Sequence, residues 1–134
     1  MAGYSETPLQ KKLGIKSGLA AVFYEPQSYW DWVGSLPENL IIVKQPKPES
    51  LTFAHLFVKE LKIFELDFIK IKKMLRKDAM LWVSWPKKAS KVSTDLDENK
   101  IRTFGLNNGL VDVKVCAVDE VWSGLKFVFR LTDR

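Results

Sequence analysis

Between Leu51 and Trp85 the spacing of apolar residues changes period twice, and this constrains the chain more than any other feature. Leu51 to Val58 is a compact apolar run of strand length. From Lys59 to Lys77, Leu61, Phe64, Phe68, Ile71 and Leu75 recur at helical spacing and form one stripe. Met80 to Trp85 is again a short apolar, aromatic run. A strand, a long amphipathic helix and a second strand fit together as a parallel pair joined by a right-handed crossover. The acids of the helical segment (Glu60, Glu65, Asp67) lie toward its start and the bases (Lys70, Lys72, Lys73, Arg76, Lys77) toward its end. That polarity complements a helix dipole, so the basic run reads as a solvated face rather than a binding site.

The flanking segments extend the alternation. Thr7-Pro8, then Leu9, Leu13 and Gly14, reads as a short helix with Thr at its cap and Gly past its end. Leu19 to Tyr24, ending at Glu25-Pro26, predicts a first strand. Tyr29, Trp32, Val33 and Leu36 mark a helix stopped by Pro37, and Leu40 to Val43 a second strand. Asp95 with Glu98 resembles a capping pair opening a helix that Gly105 closes. After a turn at Asn108-Gly109, Val111, Val113 and Val115 alternate with Asp112 and Lys114. Ser123-Gly124 is read as a second turn, into Leu125, Phe127, Phe129 and Leu131. The chain should therefore be an α/β three-layer Rossmann-like sandwich. Its sheet is mostly parallel and ends in an antiparallel hairpin at the C-terminus.

At 134 residues the chain is expected to be one domain, burying roughly two thirds of its unfolded surface. No apolar run approaches the ~20 residues of a membrane span, and residues 1–16 contain no signal-peptide core. Cys116 is the only cysteine, which fits a reducing cytoplasm, and one Cys with one His excludes a thiolate metal cluster.

Several blocks resemble an uncharacterised bacterial family of small proteins, catalogued only as a domain of unknown function. They are Thr7 through Lys16, Leu81 through Lys88, Thr94-Asp95-Leu96, and Gly109 through Asp119 continuing into Trp122 to Lys126. The resemblance implies a cytoplasmic one-domain protein and assigns no activity. The element order is also similar in layout to the back half of an S-adenosylmethionine-dependent methyltransferase, whose sheet likewise ends in a hairpin. Such enzymes place a glycine-rich turn after the first strand and an acid at the end of the second. Here those places hold Tyr24-Glu25-Pro26-Gln27-Ser28 and Lys44-Gln45, so neither contact is present and no cofactor is expected.

In an open α/β sheet, ligands bind outside the carboxyl ends of the strands. The expected rim holds Pro26, Gln27, Lys44, His55 and Ser84 through Lys88. Trp85 would supply an apolar wall and Lys87 and Lys88 cations, with Arg102 and Lys114 added if the last elements fold over the rim. The leading expectation is a non-catalytic module binding a small anion or a protein partner through His55, Ser84, Trp85, Lys87, Lys88 and Arg102. A diverged methyltransferase-like enzyme using His55 is the alternative.

Other readings are weaker. As a base, His55 needs a partner and a nearby nucleophile, and only Ser84 is in view; a hydrogen-bonded structural histidine is the simpler reading. Cys116 reads as a small core residue. Asp112, Asp119 and Glu120 are best explained by cross-strand pairing with Lys126. Trp85 with Lys87, Lys88 and Lys91 interleaves an aromatic with positive charge, but most aromatics fall on buried stripes, which argues against single-stranded nucleic acid. The net charge of +5 allows anionic partners without requiring them. The edge of the hairpin would allow a homodimer.

Overall fold

A computed structural model describes residues 8–26 and 28–134. Six strands form one sheet in the order β2-β1-β3-β4-β6-β5, with β1 Ala20–Tyr24, β2 Ile41–Ile42, β3 Leu51–Phe57, β4 Leu75–Pro86, β5 Leu110–Ala117 and β6 Trp122–Phe129. β1, β2, β3 and β4 are parallel, while β6 is antiparallel to both β4 and β5. Helices α1 (Leu9–Leu13) and α2 (Tyr29–Val33) cover one face, and α3 (Leu61–Met74) and α4 (Glu98–Asn107) cover the other. This is the expected three-layer Rossmann-like sandwich with its C-terminal hairpin.

Both faces of the central strands are buried, so each strand contributes to two cores. Leu81, Val83 and Trp85 of β4 pack with Leu56, Phe64, Phe68, Ile71, Leu125 and Phe127 on the α3/α4 side. Trp82, from the same strand, joins Phe53, Ala21, Phe23, Tyr29 and Leu13 on the other. Its indole Nε1 donates to the Leu13 carbonyl at 2.7 Å, tying α1 to the sheet. Gly14 ends α1 at φ 80°, where a side chain would be strained.

Several boundaries differ from the sequence pattern, each for a physical reason. Leu75 belongs to β4 rather than α3: it is extended and paired with Leu51. It is buried in either role, and burial is all that helical spacing detects. The expected cap at Thr7 lies outside the described residues. The α4 cap is Asp97, whose carboxylate accepts from Lys100 N at 2.8 Å. Asp95 instead accepts from Leu61 N at 2.7 Å, so it caps α3 from a distant segment. Gly105 does not close α4 but sits buried inside it against Phe127, where a Cβ would lie 2.2 Å from the ring. Ser123 and Gly124 are not a turn. They lie within β6, where Gly124 leaves room for Trp82 and Ser84. The hairpin turns instead at Asp119, whose carboxylate accepts from Val121 N and Trp122 N.

Candidate functional site

β1 has β2 on one side and β3 on the other, although β2 follows it in the chain. The connection from β1 leaves in one direction and that into β3 in the other. A sheet that reverses its winding in this way opens a crevice at its carboxyl edge. A cleft of about 1170 Å³ lies there. Phe23 to Pro26 at the end of β1 form one wall, Phe57 to Glu60 at the end of β3 another, with Ile63, Trp122 and the segment Val92 to Asp95 completing it. Phe57 packs edge-on to Trp122 at 5.0 Å, a rigid aromatic surface with few side-chain torsions to freeze on binding.

The 92–95 segment is latched to the other wall. Thr94 Oγ1 donates to the Lys59 carbonyl, Asp95 N donates to the same oxygen at 3.3 Å, and the Asp95 carboxylate caps α3. Three carboxylates (Glu25, Glu60, Asp95) and one ammonium (Lys59) line the cleft. Its charge therefore favours a cation over the expected small anion.

None of the six residues selected from the sequence is among those lining the cleft. The Trp85-Pro86-Lys87 exit does leave on the border where β1 and β3 end, because the three strands are parallel. Trp85, however, is 5% exposed and belongs to the α3/α4 core, so it offers no wall to a ligand. Lys87 is half-buried and Lys88 exposed. Arg102 pairs with Asp112 at 2.9 Å and with Glu98. Lys114 donates to the Lys12 carbonyl at 3.2 Å, away from the cleft, and Lys44 is exposed after β2. Gln27 lies outside the described residues. Asp112 pairs with Arg102, and the residue opposite Lys126 on β5 is Lys114, so cross-strand neutralisation of Lys126 by those acids does not occur.

His55 and Ser84 do come together, deep inside the sheet. His55 Nε2 lies 2.7 Å from Ser84 Oγ and Nδ1 lies 3.0 Å from the Tyr29 hydroxyl, and both His55 and Ser84 are fully buried. Burial, assisted by the charge of Glu25, raises the Tyr29 phenol well above its ordinary value, so it stays protonated. A neutral imidazole donates through one ring nitrogen and accepts through the other, and the Tyr29 and Ser84 hydroxyls can each do either, so both nitrogens are satisfied. Burial alone lowers the His55 imidazole from 6.5 to about 3, so it is neutral at physiological pH. Phe57 stacks on it at 4.4 Å and separates it from the cleft. The trio is a satisfied core network rather than a catalytic base with access to substrate. Tyr29 was the missing third group; its place on the inward face of a helix gave no sign of a polar role.

Of the wider expected rim, Pro26 does line the cleft; the other cleft residues follow β1 and β3 or come from the 92–95 segment, whereas the expectation centred on the end of β4. Tyr24-Glu25-Pro26 and Phe57-Val58-Lys59-Glu60 both pass from apolar to charged, which is the available signal. Among the described residues, no group of three or more His, Cys, Asp or Glu side chains is placed to hold a metal ion, and no helix is long and apolar enough to cross a membrane.

No family model matches the chain, and no curated protein matches it in sequence. Solved structures do match in fold. A SAM-dependent methyltransferase from Aquifex aeolicus superposes with a TM-score of 0.61 at 13% identity, covering 91% of this chain and 88% of the other. The Burkholderia thailandensis 1,6-didemethyltoxoflavin-N1-methyltransferase, solved with S-adenosylhomocysteine bound, gives 0.58 at 9% identity, covering 90% and 74%. Aeropyrum pernix fibrillarin, solved with natively bound S-adenosyl-L-methionine, gives 0.55 at 14% identity, covering 94% and 70%. This chain has the methyltransferase-like Rossmann fold. At such identities the likeness concerns fold alone.

Proposed function

We propose that the chain is a diverged methyltransferase-like protein that binds a small organic cation of the S-adenosylmethionine class in the β1–β3 cleft. The observation that carries this reading is the position and charge of the cleft: an aromatic-walled crevice with excess carboxylate at the switch in strand order. Two of the fold neighbours hold S-adenosylmethionine or its homocysteine product. This supports the methyltransferase-like alternative over an anion-binding module.

The binding mode must differ from one built on a glycine turn. Pro26 has no N–H to offer, and Lys44-Gln45 after β2 brings no carboxylate. What remains is Glu25 directly after β1, the Phe57–Trp122 surface, and the hydroxyls of Ser93 and Thr94. The ring of an adenosyl group fits the aromatic surface, and a sulfonium fits the carboxylates. His55, sealed behind Phe57, takes no part.

Isothermal titration with S-adenosylmethionine, S-adenosylhomocysteine and adenosine tests the reading. The sulfonium ligand should bind tightest, and Glu25→Gln should weaken it about tenfold, equivalent to ~1.4 kcal/mol, while leaving adenosine unchanged. No heat at millimolar concentration from all three ligands would overturn it.

A further inference from the structure

The end of α1 and the β5–β6 hairpin lie far apart in the chain and meet on the α1 face of the sheet. Lys114 and Lys126 are direct cross-strand partners. Lys114 reaches the carbonyl of Lys12 at the end of α1. Lys16, just beyond α1, is close enough with Lys114 to depress the half-buried Lys126 ammonium, after the effect of its own burial. Lys114 and Lys12 also face Cys116. Among the described residues no carboxylate pairs with any of these four lysines.

Like charges directly opposite on two strands are destabilising, and partial burial adds to the cost. A fold that carries such a conflict without a compensating acid usually does so at a functional surface. The remaining lysines on α3 are different, because they follow the helix dipole and share their helix with acids.

We propose that Lys12, Lys16, Lys114 and Lys126 form a binding surface for a nucleic-acid backbone. None of the four lines the β1–β3 cleft, so the surface is separate from it. Lysines are hydrated point charges that neutralise backbone phosphates one by one without reading sequence. No base readout is implied. The surface is also not the Trp85–Lys91 platform, since Trp85 is buried.

Fluorescence anisotropy of a labelled 20-nucleotide single strand, titrated with the 134-residue chain between 50 and 200 mM NaCl, tests this. Four phosphate contacts give a log–log salt slope of about −2.8, or roughly a 50-fold loss of affinity across that range. Exposed Lys16 and Lys114, changed together as Lys16→Gln/Lys114→Gln, should reduce the slope by about 1.4 with an unaltered melting curve. Lys70→Gln/Lys73→Gln on α3 removes the same charge and should change the slope much less. Equal effects from the two double variants would show a response to net charge alone and overturn the proposal. Absence of oligonucleotide binding, or binding only to vesicles of anionic lipid, would also overturn it.

Discussion

The chain has one histidine, and its burial makes the protein an acid-sensitive fold in a window where little else titrates. Unfolded, His55 takes up a proton below about 6.5; folded, it stays neutral until about 3. Between those values the unfolded state binds one more proton, so stability rises with pH and falls on acidification. The contribution is complete above 6.5 and lost progressively as the pH drops toward 3. The whole shift corresponds to a loss on the order of 5 kcal/mol at ~1.4 kcal/mol per unit. Between pH 7.5 and 5.0, before most carboxylates respond, the loss is about 2 kcal/mol. Urea denaturation at half-unit intervals over that range measures it. His55→Gln keeps a donor and an acceptor between Tyr29 and Ser84 but cannot titrate; it should be less stable at pH 7.5 and nearly flat with pH. A flat wild-type profile, or the same slope in both proteins, would refute the reasoning.

Three further substitutions probe how the sequence builds the fold and the cleft. Alanine normally improves a helix interior over glycine by up to ~1 kcal/mol. Gly105→Ala should instead destabilise by about 2 kcal/mol or more, because its Cβ would fall 2.2 Å from Phe127; thermal melting shows the sign directly. Asp95→Ala removes the long-range cap of α3 and loosens the 92–95 wall. It should cost about 1 kcal/mol in urea denaturation and also weaken S-adenosylmethionine binding, whereas Asp97→Ala should cost similar stability with binding intact.

The strand–helix–strand unit was legible because Leu51–Val58, the α3 stripe and Met80–Trp85 have periods that do not overlap. What local pattern cannot show is which partner lies across space. Asp95 sits beside Glu98 in sequence and looks like a local cap, yet its acceptor role serves Leu61, 34 residues away. Gly124 looks like a turn residue, whereas it is small because Trp82 lies over it. Trp85 could not be distinguished from a rim residue, since β4 is buried on both faces and its alternation marks no outside. The candidate site was less legible still. It depends on β1 lying beside β3, a neighbour relation that no stretch of sequence records. It also depends on the carboxylates Glu25, Glu60 and Asp95 arriving from three separate segments.

The tryptophan indole N–H resonances of the protein offer the most direct test of the central claim. Trp122 lines the β1–β3 cleft, whereas Trp82 and Trp85 are buried in the two cores, with the Trp82 N–H held by Leu13. In a ¹H–¹⁵N spectrum titrated with S-adenosylmethionine, the Trp122 signal should move saturably while those of Trp82 and Trp85 stay in place. A stationary Trp122, with shifts elsewhere or none, would contradict a ligand in this cleft.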